Sequence, residues 1–429
     1  MRIAMVSEHA SPLAVIGGVD AGGQNVHVAA LSGALVEAGH EVTVYTRRDG
    51  NEQPERVQMD PGVEVVHVPA GPPQEVPKDE LLPYMREFGL WLADDWARHG
   101  APDVVHGHFW MSGLAAVQAA AGAGVPVAQT FHALGSVKRR HQRDKDTSPA
   151  GRVEAEATIG RRVDAVIATC TDEVTELVRL GVPDTGIRVV PCGVDVAHFR
   201  PVAPSATLPP QRQPYRLLSI GRLVERKGVD TAIEALVDVP GAELLIAGGP
   251  DQAHLDEDPE AVRLVSLAQR LGVADRVQFL GRVSHADVPG VISAVDAVVA
   301  TPWYEPFGIV PLEAAACGVP LVGSAVGGLL DSVVDGVTGL LVPPRDPSAL
   351  AAALRRLLPD AGLRRSLGRA ARRRALTRYS WTRVAQDTEL VYQSMLAQAG
   401  WSGQGWNGQG WNGQAWAGQG WSAQEGVAG

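Results

Sequence analysis

A chain of 429 residues, 45% hydrophobic and 20% charged, reads as an ordinary globular protein long enough for two domains. Its 38 basic and 48 acidic residues leave a formal charge of -10, which disfavours a general nucleic-acid or anionic-membrane binder and leaves anionic small substrates open. Three cysteines, Cys170, Cys192 and Cys317, are too scattered for a metal pattern, and their odd number argues against a disulfide framework and for a reducing compartment.

The chain opens MRIAMVSEH, a short alternating run with no longer apolar region behind it, so a first strand is expected and not a signal peptide. No apolar run approaches the length of a membrane span, and a cytoplasmic protein is expected. The turn IGGVDAGGQN, residues 16–25, leads into a helix predicted from about Val26 to Ala38. Short apolar runs then alternate with helical patterns: EVTVYT, VEVVHV, VVHGH, VPVAQTFH, AVIATC and IRVVPCG. Strands separated by helix-length segments imply right-handed crossovers and a parallel sheet, so residues 1–200 read as a Rossmann-like domain. Residues 201–214 are rich in proline and poor in apolar side chains, the composition of a linker. The pattern restarts with YRLLSIG, AELLIAGG, RVQFLG, DAVVAT, VPLVGS and GLLVPP, giving a second α/β domain over 215–379. Residues 380–397 are amphipathic at helical spacing. In the tail 398–429, Trp401, Trp406, Trp411, Trp416 and Trp421 recur every five residues among Gly, Gln and Asn, a period that suits neither strand nor helix and predicts disorder.

Two such sheets present the carboxyl ends of their strands to a shared cleft, where ligands are expected. The glycines of IGGVDAGGQN let backbone amides approach an anion at a helix N-terminus. Their spacing is not that of a dinucleotide fingerprint, and strand two ends in Arg47 and Arg48 and not in an acid, which speaks against an oxidoreductase. In SIGRLVERKG, residues 219–228, Arg222 and Lys227 follow a strand end and could clamp a diphosphate, the arginine as a fork and the lysine as a compact charge. In ATPWYEPFGIVPLEAAACG, Glu305 lies in a loop and Glu313 in a helix predicted to begin near Pro311. A carboxylate that accepts bonds from adjacent hydroxyls suits a ribose or hexose diol.

Taken together, the ExFGxxxxxE pattern, GRLVERKG, the GGQN turn and PCGVDVAHFRP resemble the retaining glycosyltransferases of family 4, over roughly residues 1–397. The resemblance implies an α/β protein of the GT-B fold, two Rossmann-like domains facing an interdomain cleft, the last helix crossing back to the first domain. It implies that a hexosyl group passes, with retention, from a nucleoside diphosphate sugar, a UDP-sugar favoured, to a small hydroxylated or sugar acceptor. Position by position, it puts Glu313 on the nucleotide ribose and Glu305, with Phe307 and Gly308, on the donor sugar. Arg222 and Lys227 match the diphosphate clamp with Gly22 and Gly23, Val283 the backbone that reads the base, Gly248 and Gly249 the nucleotide side, and His132 a histidine beside the anomeric carbon. The motifs HALGSVKRR and HGHFWMSG are similar to the branch of mycothiol-type inositol-phosphate glycosyltransferases and sucrose-phosphate synthases. There Lys78 and Arg152 match groups that hold an acceptor phosphate and Asn25 one that meets the acceptor ring, whereas Phe109 and Ala133 replace a tyrosine and a threonine of the inositol-phosphate pattern.

No metal or other cofactor is expected. Asp144 and Asp146 form a DxD, but inside a charged stretch with no apolar strand before it, and His106 and His108 are joined by no further Cys or Asp cluster. Expected partners are the nucleotide-sugar donor and a small acceptor, with no nucleic acid and no membrane span, in a monomer or homodimer. A silent sugar- or nucleotide-binding protein is the reading from another class.

Overall fold

The computed structural model describes residues 1–14, 22–206 and 208–401; residues 16–21 of the first glycine-rich turn and the Trp-repeat tail from 402 onward lie outside them. Among the described residues, the first half builds one sheet from β1 (Arg2–Val6), β2 (Glu41–Arg47), β3 (Arg56–Met59), β4 (Val63–Val68), β5 (Val104–His108), β6 (Val127–Thr130), β7 (Ala165–Ala168) and β8 (Ile187–Val189). Their order is β3-β4-β2-β1-β5-β6-β7-β8. The second half builds another from β9 (Tyr215–Ile220), β10 (Ala242–Ala247), β11 (Val277–Gly281), β12 (Ala297–Ala300), β13 (Leu321–Ser324) and β14 (Gly339–Val342), in the order β11-β10-β9-β12-β13-β14. Every pairing is parallel except that of β3 on β4. Strand β3 escaped the sequence reading because RVQM, half-buried at an edge, carries no continuous apolar run. The central strands read clearly for the opposite reason: helices cover both faces, so β5, β7 and β10 are buried at every position.

One face of the first sheet packs Phe88, Leu92 and Trp96 of helix Met85–His99 and Trp110 of helix Trp110–Ala123. The other face packs Val28, Leu31 and Leu35 of helix Gly23–Glu37 together with Val384, Tyr392 and Met395 of the last helix, Trp381–Trp401. Each such buried side chain contributes about 1.5 to 3 kcal/mol relative to exposure, enough to fix the last helix on the first domain. The chain crosses back where Val194 N donates to the Tyr379 carbonyl at 2.7 Å. The second domain has its own two cores, around Leu217, Ile233 and Ile246 on one face and Leu218, Val298 and Leu312 on the other.

In each sheet the strand order reverses beside its first strand, between β1 and β5 and between β9 and β12. Loops leaving neighbouring strands diverge at such a switch point and open a crevice at the strands' carboxyl ends.

Candidate functional site

Strand β9 ends at Ile220, and Arg222 follows it at the carboxyl end, exposed. Lys227 closes a short 3-10 turn, Glu225–Lys227, and Gly228 leaves that turn at φ 65°. A Cβ on Gly228 would lie 2.0 Å from the Thr301 carbonyl oxygen, so only glycine lets the turn press against the loop after β12. Thr301 Oγ1 fixes the contact by donating to Gly228 O at 2.7 Å. The consequence is chemical: the Lys227 ammonium forms an ion pair with the Glu305 carboxylate, their side chains only 22% and 13% exposed. Burial pushes the Glu305 carboxyl up, but Lys227, helped by Arg226 and the Phe307 amide, outweighs it and holds the group below its ordinary value.

The helix after EPFG begins at Ile309, two residues earlier than expected, because Gly308 at φ 71° caps it in the left-handed conformation. Pro311 is tolerated where first-turn amides have no intrahelical partner, and Glu313 falls in the second turn and not the first. Glu313 is half-buried and its carboxylate accepts no hydrogen bond among the described residues; burial pushes that carboxyl up to about 7 in spite of Lys227. Gly327 and Gly328, which the sequence reading passed over, clasp this loop: Gly328 N donates to Glu305 O at 2.7 Å, and a Cβ on Gly327 would meet that oxygen at 2.3 Å. Their signal was a Gly-Gly pair after a buried strand. Gly248 lies across the crevice floor, where a Cβ would be 1.9 Å from Gly221 O, and Gly249 packs against Leu223. Val283 follows β11 and packs on the second domain's core.

The first domain supplies the opposite wall. Its first helix starts at Gly23, with Gly22 as N-cap, three residues before the expected start. A Cβ on Gly23 would lie 3.1 Å from Ile309 Cδ1 and 3.6 Å from the Phe307 ring, so the glycine lets the helix N-terminus abut the EPFG loop. His132 follows β6 at φ 61°, its ring 5.2 Å from Phe307 and its Nε2 paired with His108 Nδ1 at 2.9 Å. His27, a residue the sequence reading did not single out, packs 5.0 Å from the His132 ring and 5.4 Å from Trp381 of the last helix. His106 is bonded to Tyr392 Oη at 2.7 Å and Thr130 Oγ1 at 2.9 Å. Burial holds His27 down to about 4, His106 to about 3, and His108 and His132 well below the ordinary value, so all four are neutral at pH 7. Of the DxD, Asp144 is exposed and Asp146 pairs with Lys138 at 3.0 Å.

The three residues expected at the acceptor are placed differently from one another. Asn25 is buried and closes its own loop, accepting from Gly22 N at 3.0 Å and donating to Ser11 O at 3.0 Å. Arg152 is 1% exposed and uses all three nitrogens within the protein, on Glu156 at 2.7 Å, Ser148 at 3.2 Å and the Ala133 carbonyl. Its guanidinium also covers the Phe109 ring at 4.9 Å, so the two residues that depart from the inositol-phosphate pattern are its direct neighbours. Lys78 is half-buried in the turn Lys78–Glu80.

Two family models match the chain, Glycosyltransferase Family 4 over residues 21–198 and Glycosyl transferases group 1 over residues 205–374. Similar proteins include the D-inositol 3-phosphate glycosyltransferase of Xylanimonas cellulosilytica, 39% identical over 90% of this chain and 94% of that one. The protein of the same name from Salinispora tropica is 36% identical over 92% of this chain and 86% of its own. Among solved structures, sucrose-phosphate synthase from Thermosynechococcus elongatus superposes with a TM-score of 0.83 at 34% identity, covering 92% of this chain and 99% of its own. The Anabaena protein HepE, solved with UDP and glucose, gives a TM-score of 0.70 at 21% identity over 92% of this chain and 100% of its own, a likeness of fold. With both halves matched and relatives aligned along nine-tenths of its length, the chain belongs to the family 4 glycosyltransferases and has their GT-B fold.

Proposed function

We propose that the protein transfers a hexosyl group with retention from a nucleoside diphosphate sugar, a UDP-sugar favoured, to a small hydroxylated acceptor, without a metal ion. The observation that carries this reading is the Lys227–Glu305 pair at the β9/β12 switch point, with Arg222 beside it and His132 and Gly23 across the cleft. Arg222 and Lys227 clamp the diphosphate and stabilise the charge that develops as the sugar leaves. Glu305, held ionised by Lys227, accepts hydrogen bonds from the hexose hydroxyls, and Glu313 accepts those of the ribose diol. The acceptor hydroxyl oxygen bonds to the anomeric carbon on the face from which the phosphate departs, and its proton passes to the departing phosphate oxygen. His132, neutral and buried, lines that face as a hydrogen-bonding group and not as a cation.

Positive charge from two side chains supplies what a metal would otherwise bring to the diphosphate, and this supports the metal-free reading. The three cysteines are buried and free, their thiols pushed up to about 12, which suits a reducing, cytoplasmic setting. The test is a panel of nucleotide sugars scored for thermal stabilisation and slow donor hydrolysis, with and without EDTA. Stabilisation by one donor that survives EDTA is expected. A response abolished by EDTA would overturn the metal-free clamp, and no response to any donor would favour a silent binding protein.

A further inference from the structure

We propose that the acceptor subsite is the interdomain cavity under the Tyr304–Pro306 loop, and that it takes an unphosphorylated polyhydroxy compound held by Glu173 and His132. This rests on the glycosyl-transfer reading and deepens it.

The cavity is lined by Asp172, Glu173, Glu176 and His132 from the first domain and by Tyr304 and Glu305 from the second, and among the described residues no lysine or arginine lines it. It adjoins the donor pocket, which shares Glu305. Its roof is positioned by both domains, since Tyr304 accepts a hydrogen bond from Gln142 at 3.0 Å and stacks on His141 at 4.7 Å. Two of its buried side chains hold back a polar atom. Glu173, 9% exposed, accepts from Thr169 N and Oγ1 through Oε2, both at 2.7 Å, while its Oε1 is buried with no partner among the described residues. His132, 3% exposed, gives Nε2 to His108 and leaves Nδ1 buried and likewise unpartnered. An unpartnered buried polar atom costs about 1 to 3 kcal/mol, a cost that a ligand's hydroxyl groups remove.

The charge around the cavity selects against phosphate. Arg152 is committed to Glu156, to Ser148 and to the Ala133 carbonyl, and Lys138 is paired with Asp146 at 3.0 Å and Asp79 at 3.8 Å. Arg140 and Arg179, each more than half exposed, bind Glu176, and Lys227 is committed to Glu305. A phosphoryl group in the cavity would therefore face carboxylates with no cation in the lining to meet it, whereas sugar or cyclitol hydroxyls can donate to Glu173 and exchange a hydrogen bond with His132. In transfer, the acceptor's C–O–H becomes C–O–C1 of the hexose, the bond from C1 to the diphosphate oxygen breaks, and the proton leaves on that oxygen.

The experiment measures acceptor kcat/KM for the full chain with UDP-glucose and UDP-N-acetylglucosamine, using matched pairs: inositol against inositol 3-phosphate, glucose against glucose 6-phosphate, fructose against fructose 6-phosphate. Donor hydrolysis without acceptor is recorded in parallel, and its absence would count against the transferase reading itself. With hydrolysis present, the free member of at least one pair is expected to exceed its phosphate by about tenfold or more. Glu173→Gln, which keeps an acceptor for the Thr169 bonds, should raise that acceptor's KM about tenfold while moving the donor KM far less. Preference for the phosphorylated members, no acceleration by any free member, or equal changes in both KM values would each overturn the proposal.

Discussion

Replacing Lys227 with alanine separates two roles that the ion pair combines. Loss of one member of a fully buried pair costs about 3 to 5 kcal/mol; here both side chains keep some solvent access and Arg226 still faces Glu305, so about 2 kcal/mol is expected. That lowers the unfolding midpoint by about 4 to 8 °C for a domain of this size. Turnover should fall much further, by about 100- to 1000-fold, because in the proposed reaction the ammonium is one of the preorganised charges that meet the departing phosphate. Thermal unfolding and donor hydrolysis are measured on Lys227→Ala and on Lys227→Ala/Glu305→Gln. The double variant no longer strands a carboxylate, so its midpoint should recover while its turnover does not. Turnover of Lys227→Ala that stays within about tenfold of the unsubstituted protein, with the midpoint lowered as expected, would refute the reasoning, since Lys227 would then serve only to neutralise Glu305.

Other perturbations test the remaining parts. Glu313, pushed up to about 7, is protonated below that pH and, as the proposed ribose ligand, can then accept fewer bonds, so the donor KM should fall as pH rises from about 6 to about 8. The same raised value means the folded state loses stability as pH climbs from the ordinary 4.5 to about 7, so Glu313→Gln should flatten the KM profile and be the more stable protein above pH 7. A profile unchanged by the substitution would count against ribose contact. Tyr392→Phe leaves His106 Nδ1 buried without a partner and should cost about 1 to 3 kcal/mol in chemical denaturation; no loss would show that the last helix is anchored by apolar packing alone. Arg152→Met strands Glu156, which is fully buried, and should cost about 3 to 5 kcal/mol. If Arg152 instead served mainly as a phosphate ligand, stability would hardly change and only the acceptor KM would rise.

What the sequence could tell depended on how local each cause was. Parallel strands covered on both faces read as short, mostly apolar runs, so β1, β5 and β10 were legible, while the half-polar edge strand β3 was not. The placement of Arg222, Lys227 and Glu305 beside strand ends was legible because short motifs fix it. The start of the Glu313 helix was misjudged because proline marked a first turn whose true cap was Gly308, set by its left-handed backbone. Glu173, Tyr304 and His27 could not be found, since each acquires its meaning only when distant segments meet: His27 comes from the first helix, its neighbour Trp381 from the last, and the cavity at Glu173 is closed by a loop from the other domain. Arg152 fits a motif, but that motif does not show its ion pair with a carboxylate one helical turn away.

The most direct test of the central claim is the configuration of the first hexose released when the purified protein hydrolyses UDP-glucose or UDP-N-acetylglucosamine in the presence of EDTA, followed by proton NMR before mutarotation. Retention on the face the phosphate leaves predicts that the α-anomer forms first. First formation of the β-anomer would contradict the account.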